Sequence, residues 1–330
     1  MKLISAYFLF YVSNCLTSLF FMRLGTKWHY LLKQIAASEL NEYLDLNVSF
    51  KCNFATVVIL SFAVVEHALS RICKLADVKD CSTDDDLIYE KFVIESCPWM
   101  FELGIPYTFA TGIYVLTLNT LATIIWSYSH IFIICVSLYL TSVLKQINKR
   151  IISRDGQHLP VSHWRKLRED YNRATRLVRS FDDAINSIVF ISFASNLFFV
   201  CLQLYYLLKR SIGTVNSVPT VECPNYPSGL FNGYEVSVYV SFSLMFVLSR
   251  SLAVSLMAAQ VHSASLVAAP SLYNVPSSSY GTEIQRFLEQ IHGDTVALTG
   301  LNFFYITKEL VLSVVGTIVT YELVLLQFNQ

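Results

Sequence analysis

Charged residues are scarce in this sequence, and several kinds of motif are missing from it. Asp, Glu, Lys and Arg make up 15% of the 330 residues and the formal net charge is zero, so no positive excess points to nucleic acid as a partner. The eight cysteines are scattered, without a CxxC pair or a Cys/His cluster at zinc spacing, and there is no HExxH motif. We therefore expect no structural metal, no cofactor and no catalytic residue, and we do not expect an enzyme.

Apolar residues, by contrast, are abundant. They make up 54% of the chain, with a mean hydropathy of +0.48, which is more apolar surface than a soluble domain can bury. The pattern predicts an all-α polytopic membrane protein, a single domain over residues 1–330 that crosses the bilayer six times. The predicted spans are residues 3–22, 54–73, 107–144, 184–208, 234–261 and 301–328.

The first span has a second interpretation. Lys2 precedes the apolar run, as in a signal peptide, but the run is long, lacks a clear small-residue cleavage site and is followed by Arg23 and Lys27. These features favour a membrane helix. The segment that follows has apolar residues at near-helical spacing, which predicts a membrane-proximal amphipathic helix: Trp28, Leu31, Leu32, Ile35 and Tyr43.

The third run, residues 107–144, contains no Asp, Glu, Lys or Arg and is about twice as long as one crossing requires. Two crossings would place the next loop, residues 146–180, outside. That loop contains nine Lys and Arg residues, and positive residues stay on the cytosolic side of a membrane. One long helix is therefore predicted, and six spans then place both termini outside.

The basic loop itself has the pattern of a helix that packs against other cytosolic helices. Its apolar residues fall on one helical face: Trp164, Leu167, Tyr171, Ala174, Leu177, Val178 and Phe181. Further along, the capping-box pattern Thr282-Glu283-Ile284-Gln285 predicts the start of another helix. The apolar face of that helix is Ile284, Phe287, Leu288 and Ile291.

Glu66 and His67 are ionisable residues within the second span. Groups at such depth are functional candidates, unless they lie near the outer end and simply reach water. The acidic loop that follows contains Cys81 and Cys97, which form a local disulfide if the loop is extracellular. Two free thiols are the alternative.

The last span carries a mainly polar stripe. Ser313, Thr317, Thr320, Val324 and Gln327 follow spacings of four, three, four and three, which place them on one face of a helix. Lipid does not favour hydroxyl and carboxamide groups, so this face is predicted to meet protein or water. Packing of helices through small residues is the alternative interpretation.

The end of the same span carries a family resemblance. The motif Thr320-Tyr321, five residues, then Gln327-Phe328 resembles the C-terminal signature of insect gustatory receptors. The longer string GTIVTYELVLLQF is similar to the sugar-receptor branch of that family. Further segments resemble the third to sixth helices of sugar receptors: FAVVEHALSR, WSYSHIFIICVSLYL, SNLFFVCLQLYYLL and SLAVSLMAAQVHSAS.

The resemblance implies a fold and an assembly. The family has seven helices and an extracellular C-terminus, so the six spans are expected to be its second to seventh helices, and its N-terminal tail and first helix have no counterpart in this sequence. The resemblance implies the gustatory and odorant receptor channel fold, assembled in the plasma membrane as a tetramer, alone or with other gustatory receptors, around a central pore. Carried onto this sequence, the pore and gate residues are Gln327, Phe328, Val324, Thr320 and Thr317.

The resemblance also implies a function, that of a sugar-sensing, ligand-gated, non-selective cation channel. Sugar is then bound in the extracellular half of the bundle, where hydrogen-bonding groups and aromatic faces are needed. Depth and chemistry, rather than a family motif, select the candidate ligand-binding residues: Glu66, His67, Asn119, Trp126, Asn196, Gln203, Tyr234, Glu235 and Tyr239. The alternatives are a non-conducting or truncated subunit of a heteromeric taste receptor and, against the charge pattern, a G-protein-coupled receptor.

Overall fold

The computed structural model describes residues 2–328 apart from 39, 44, 46, 81–87, 155, 212–234 and 277–279. The described part is helical almost throughout. Its α-helices are α1 (Lys2–Ala37), α2 (Val48–Asp80), α3 (Ile88–Ser96), α4 (Pro98–Glu102), α5 (Phe109–Ile152), α6 (Val161–Ser211), α7 (Glu235–Leu266), α8 (Ala269–Tyr273), α9 (Thr282–Gly293) and α10 (Lys308–Phe328). A 3₁₀ turn (Leu40–Tyr43) follows α1, and two short strands, β1 (Thr299–Gly300) and β2 (Phe304–Tyr305), precede α10.

Within the described residues, five helices are long and apolar enough to cross a membrane, namely α1, α2, α5, α6 and α7. The prediction of an all-α polytopic membrane protein is therefore confirmed. Helix α1 joins the predicted first span and most of the predicted amphipathic segment into one helix. On that extension Leu31 is buried, whereas Trp28 and Leu32 are exposed.

Helix α5 is one unbroken helix of 44 residues, as predicted in preference to two. At its start the hydroxyl of Thr108 accepts a hydrogen bond from the backbone N–H of Thr111, which completes a capping box. Its last turn carries Lys149 and Arg150, whose charges suit a helix C-terminus. Helix α5 is central to the bundle, since it packs against α7, α2, α6 and α1.

The predicted apolar face of the basic segment is confirmed. This segment forms the first part of α6, which continues without a break into the predicted fourth span, and all seven residues of the face are at most 5% exposed. The ring of Tyr171 lies 5.3 Å from that of Phe287 on α9, and its hydroxyl donates to the carbonyl oxygen of Ser265 on α7 at 2.9 Å. The larger buried cluster of the described residues joins the second half of α5 and the first half of α6 to residues of α7, α8 and α9.

Helix α9 has the predicted apolar face but not the predicted cap. The face is buried as expected: Ile284, Phe287, Leu288 and Ile291. The capping box was wrong, because Thr282 is already the first helical residue and Gly281, which has no side chain to accept a hydrogen bond, occupies the N-cap position. Glu283 instead forms ion pairs with Arg168 at 3.0 Å and Arg286 at 3.3 Å.

The last helix begins later than the apolar pattern predicts. Residues 301–303 form the turn between the antiparallel strands β1 and β2, residues 304–305 are β2 itself, and residues 306–307 lead into α10. Both Leu301 and Asn302 adopt positive φ, at 50° and 60°. The turn is fixed to α6 by Asp182, which accepts hydrogen bonds from the backbone N–H and the hydroxyl of Thr299. These contacts hold the chain out of the helical conformation, so the predicted start of the last span was wrong.

Candidate functional site

A cavity of about 310 Å³ lies between α1, α2, α5, α6 and α7. Its volume is at the lower end of the range for small-molecule pockets, about 300–1,000 Å³. Side chains three or four positions apart share a helix face, and each helix turns such a face inward. The cavity thereby collects candidates from four helices: Glu66, His67, Asn119, Trp126, Gln203 and Tyr239.

Glu66 belongs to a chain of hydrogen bonds along the cavity wall. The hydroxyl of Ser243 donates to Glu66 Oε1 at 3.0 Å and accepts from Gln203 Nε2 at 3.1 Å. The amide oxygen of Gln203 is buried and has no hydrogen-bond partner among the described residues. The wall thus offers a carboxylate and an unpaired amide oxygen, both acceptors for the hydroxyl protons of a polar ligand.

His67 and Asn119 are both tied to Arg71, one turn further along α2. Arg71 Nε donates to His67 Nε2 at 3.4 Å, and Arg71 Nη2 donates to Asn119 Oδ1 at 2.7 Å. Because Nε2 of His67 accepts, this geometry assigns a neutral ring with its proton on Nδ1. Asn119 also donates to the hydroxyl of Tyr11 at 3.0 Å, so it mainly holds neighbouring helices together at the edge of the cavity.

Arg250 lies in the cavity wall and is absent from the residues predicted from sequence. It is 3% exposed, and its Cζ lies 4.2 Å from the ring centroid of Trp126 and 4.8 Å from that of Phe246. Its Nη1 lies 3.5 Å from the hydroxyl of Ser127, the outer limit of a hydrogen bond. Nε and Nη2 have no partner among the described residues, and each unpaired buried donor costs about 1–3 kcal/mol.

A sequence signal for Arg250 does exist. Tyr239, Ser243, Phe246 and Arg250 line the cavity at spacings of four, three and four along α7. This is the same helical rule that identifies the stripe on the last helix. An arginine inside an apolar span is also a functional candidate in its own right.

Asn196, another candidate, is not among the residues that line the cavity. Asn196 lies behind the cavity wall, where its Oδ1 is 2.9 Å from Nε2 of the buried His130, and Nδ1 of His130 is 2.6 Å from the carbonyl oxygen of Trp126. Asn196 therefore supports the backbone at Trp126. Tyr234 lies outside the described residues, as does the side chain of Glu235, so both stay predictions.

The predicted disulfide between Cys81 and Cys97 gains no support from the state of Cys97. Cys97 carries a buried free thiol, and its Sγ lies 3.3 Å from the hydroxyl oxygen of Tyr11. Cys97 also packs with Met100 and Val115 in a small apolar cluster. Its predicted partner, Cys81, lies outside the described residues.

The lining of the cavity carries one negative and two positive charges. Glu66 and Arg250 carry opposite charges on the same wall, and Lys74 is partly engaged, since its Nζ donates to the carbonyl oxygen of Ser96 at 3.3 Å. Across the described chain, no three His, Cys, Asp or Glu side chains come together as a metal site. The lining can both donate hydrogen bonds to a ligand and accept them from it.

The stripe on α10 is exposed along its length: Ser313, Thr317, Thr320, Val324 and Gln327. The hydroxyls of Thr317 and Thr320 donate to the carbonyl oxygens four residues earlier, each at 2.9 Å. Apolar residues of α10 such as Leu312 and Val319 are exposed as well, so exposure alone does not single out the stripe. The side chain of Phe328 lies outside the described residues.

Comparison with known proteins identifies similar sequences. A family model described as "Trehalose receptor" matches residues 4–219 and 231–330. The "Gustatory receptor for sugar taste 64f" of Drosophila melanogaster is 37% identical over 273 residues, which are 83% of this chain and 53% of that protein. The "Gustatory receptor 5a for trehalose" of the same species is 33% identical over 327 residues, 97% of this chain and 68% of that protein. The chain thus spans about half to two thirds of the length of these relatives.

Comparison with solved structures identifies a similar fold. The insect olfactory receptor OR5 from Machilis hrabei matches with a TM-score of 0.67, over 98% of this chain and 80% of that one. The two sequences are 14% identical, so the likeness concerns the fold alone. The five long apolar helices of this chain are therefore arranged as in that receptor.

Proposed function

Because the chain belongs to the trehalose receptor family, among the sugar receptors of insect taste, we propose that it binds a sugar and opens a non-selective cation channel in response. Membership confirms the resemblance carried by the motif from Thr320 to Phe328. It also confirms that the chain is a receptor rather than an enzyme. The ligand proposed is a sugar such as the trehalose named for one relative.

The observation that carries the proposal is the convergence of predicted residues on one cavity. Glu66, Trp126, Gln203 and Tyr239 come from four different helices and were selected for polarity and depth, yet all line the same space. A sugar presents hydroxyls that both donate and accept, and the lining offers both kinds of partner. A sugar bound better by the open state than by the closed state shifts the equilibrium towards opening.

The proposed channel is a tetramer, formed by this chain alone or with other gustatory receptors, with α10 of each subunit lining the pore. The stripe on α10 and the likeness of the fold to an olfactory receptor support this arrangement. A constriction of amide and apolar side chains gates by excluding water and opens when these side chains move away. The pore and gate residues proposed are Gln327, Phe328, Val324, Thr320 and Thr317.

The proposal includes a topology. Residues 1–330 form one domain in the plasma membrane, with α10 as a sixth span and with the six spans corresponding to the second to seventh helices of the family. The basic first part of α6 lies in the cytosol, because clusters of Lys and Arg stay on that side. The C-terminus and the half of the bundle that contains the cavity are then extracellular.

The test is to express the chain in cells and record cation currents in response to disaccharides, monosaccharides and polyols. We expect a sugar-specific current whose apparent affinity falls about tenfold or more in Glu66→Gln, because a charged acceptor is lost from the cavity. Glu102→Gln, which removes an exposed carboxylate away from the cavity, should leave the response unchanged. Surface expression of each variant is measured in parallel.

Two results would contradict the proposal at different points. A wild-type chain that reaches the surface but responds to no sugar, alone or with a co-expressed sugar receptor, would refute sugar sensing. An unchanged dose–response curve in Glu66→Gln would leave sugar sensing intact but would remove this cavity as the binding site.

A further inference from the structure

Arg250 presents one edge of its guanidinium group without a partner among the described residues. The Nε–H and one Nη2–H lie side by side on that edge and form a planar fork that matches two neighbouring acceptor oxygens. Elsewhere on the group, Nη1 lies 3.5 Å from Ser127 Oγ, at the outer limit of a hydrogen bond. The unpaired edge belongs to a side chain that is 3% exposed and lines the cavity.

Aromatic rings hold this guanidinium group in place. The ring centroids of Trp126 and Phe246 lie 4.2 and 4.8 Å from its Cζ. Trp126 is braced in turn by Phe10 and Phe199, whose ring centroids lie 5.7 and 5.1 Å from its own. One face of Trp126 is thus occupied by Arg250 instead of being available to stack on a ligand. The donors of Arg250 are therefore fixed in direction before any ligand arrives, which lowers the entropic cost of binding.

We propose, on the basis of the proposed function, that the Nε/Nη2 edge of Arg250 binds two adjacent hydroxyl oxygens of the sugar. This contact determines which sugars are accepted. Adjacent hydroxyls present two oxygens side by side, as the fork requires. Their protons remain free to donate to acceptors on the same wall, Glu66 and the unpaired amide oxygen of Gln203. One pair of hydroxyls can in this way satisfy donors and acceptors of the cavity together.

Glu66 favours a neutral diol over a carboxylate at the fork of Arg250, although Lys74 gives the lining a second positive charge. A carboxylate would also fit the fork of Arg250. Glu66 lies on the same cavity, however, and its negative charge already opposes that of Arg250. A second carboxylate would be repelled by Glu66 in a buried site, where like charges destabilise one another strongly. A neutral polyol meets no such cost.

The test pairs changes in the ligand with changes in the protein. The activating sugar is compared with its analogues that each lack one hydroxyl, on the wild type and on Arg250→Lys. In the wild type, loss of either hydroxyl of one adjacent pair should weaken binding about ten- to a hundredfold, because hydrogen bonds to a charged group are lost. Lysine keeps the charge but offers no planar fork, so in Arg250→Lys the same two losses should cost about threefold or less.

The remaining hydroxyls of the sugar are the internal control. Removal of any one of these hydroxyls should weaken binding by the same factor in the wild type and in Arg250→Lys. Binding is measured twice, by the current response in cells and by ligand-induced thermal stabilisation of the purified full chain, so that a defect in conduction is not mistaken for a defect in binding.

A uniform weakening of every analogue by Arg250→Lys would overturn the inference, because it would assign Arg250 a packing role. An unchanged analogue pattern would overturn it too, while leaving the proposed function standing. If the wild type binds no sugar, the proposed function and this inference fall together. Where Arg250→Lys fails to reach the surface, the double variant Glu66→Gln with Arg250→Gln removes both charges at once, so neither of these two residues is left charged without the other. In this double variant too, removal of either hydroxyl of the adjacent pair must weaken binding by about threefold or less.

Discussion

Asp182 on α6 accepts two hydrogen bonds from Thr299, one from the backbone N–H at 2.6 Å and one from Oγ1 at 2.7 Å. Close by, the backbone N–H of Leu301 donates to the carbonyl oxygen of Asn186 on the same helix at 3.3 Å. Helix α6 also carries Gln203 of the cavity, and the turn at Thr299 leads directly into α10. A shift of α6 would therefore pull on the turn that positions the proposed pore helix.

Replacement of Asp182 by asparagine should destabilise this turn. The amide keeps one acceptor oxygen but loses the charge and turns a donor towards Thr299, so the free energy of unfolding should fall by about 1–3 kcal/mol. Thermal unfolding of the purified chain measures the change. Asp183→Asn, at the exposed neighbouring position, is the matched control and should not lower the free energy of unfolding, because it removes a charge that repels Asp182. Equal melting temperatures for both variants would contradict the assigned role of Asp182.

Replacement of Phe287 by alanine should destabilise the core where α9 meets α6. Phe287 is fully buried and its ring contacts that of Tyr171, and truncations of this kind cost about 3–5 kcal/mol. Phe303→Ala changes the same residue type at a position that is 78% exposed, and should stay within about 0.5 kcal/mol of the wild type. Denaturation of the purified chain compares the two, and similar losses in both would refute the packing described.

The ion pairs of Glu283 predict a pH dependence of stability. Burial raises the pKa of Glu283, but the hydrogen bond and the positive charge of Arg168 outweigh it, so the pKa lies below its ordinary value of 4.5. A carboxylate with a lowered pKa contributes stability that is complete above about pH 4.5 and is lost as the pH falls through the lowered value. The wild type should therefore lose stability on acidification more steeply than Glu283→Gln.

The control for this prediction is Glu289→Gln, which removes an exposed carboxylate of the same helix. Its stability should follow the acid dependence of the wild type. Melting temperatures measured from pH 7 down to about pH 3 cover the window in which carboxylates titrate. Parallel curves for the wild type and Glu283→Gln would show that the ion pairs add nothing to stability.

Regular patterns in the sequence predicted the regular parts of the fold. The face from Trp164 to Phe181 was identified by helical spacing alone, and its seven residues are buried, because a helix that packs on one side must repeat apolar residues at that period. The single helix over residues 107–144 was identified by the placement of charge, since a second crossing would have put a basic loop outside.

The irregular parts were not predicted, and each has a local physical cause. The turn after Thr299 depends on Asp182, more than a hundred residues earlier, and spacing patterns contain no information on such a partner. Thr282 was taken for a cap because a capping box and the first turn of a helix contain the same residue types. The contact of Arg250 with Trp126 on α5 depends on the packed bundle, although the helical spacing of Phe246 and Arg250 along α7 was visible in the sequence.

The charge pattern predicts an extracellular C-terminus. The basic residues between α5 and α6 and in the first part of α6 should stay in the cytosol. An epitope tag after Gln330 should therefore stain on cells that have not been permeabilised. The same tag inserted after the exposed Gly156, between α5 and α6, should stain only after permeabilisation. The opposite pair of results would invert the proposed topology.

Gln327 is predicted to contribute to the narrowest part of the pore. It is exposed on α10, on the same face as Thr320 and Val324. If this face lines the pore, alanine at position 327 removes four carboxamides from a tetrameric constriction and widens it. We expect a larger basal current and a change of about twofold or more in the permeability of large relative to small cations, measured from reversal potentials.

Val315→Ala is the control that distinguishes a pore-lining stripe from packing of α10 against other helices. Val315 follows Ser313 by two positions, which places it on the other side of the helix, and it is also exposed. If the stripe faces the pore, the permeability ratio should change in Gln327→Ala and stay at the wild-type value in Val315→Ala. If both variants keep wild-type currents and permeability, the stripe does not face the permeation path. The small and polar side chains of α10 would then be explained by contact between helices, where close approach and hydroxyl groups are equally favoured.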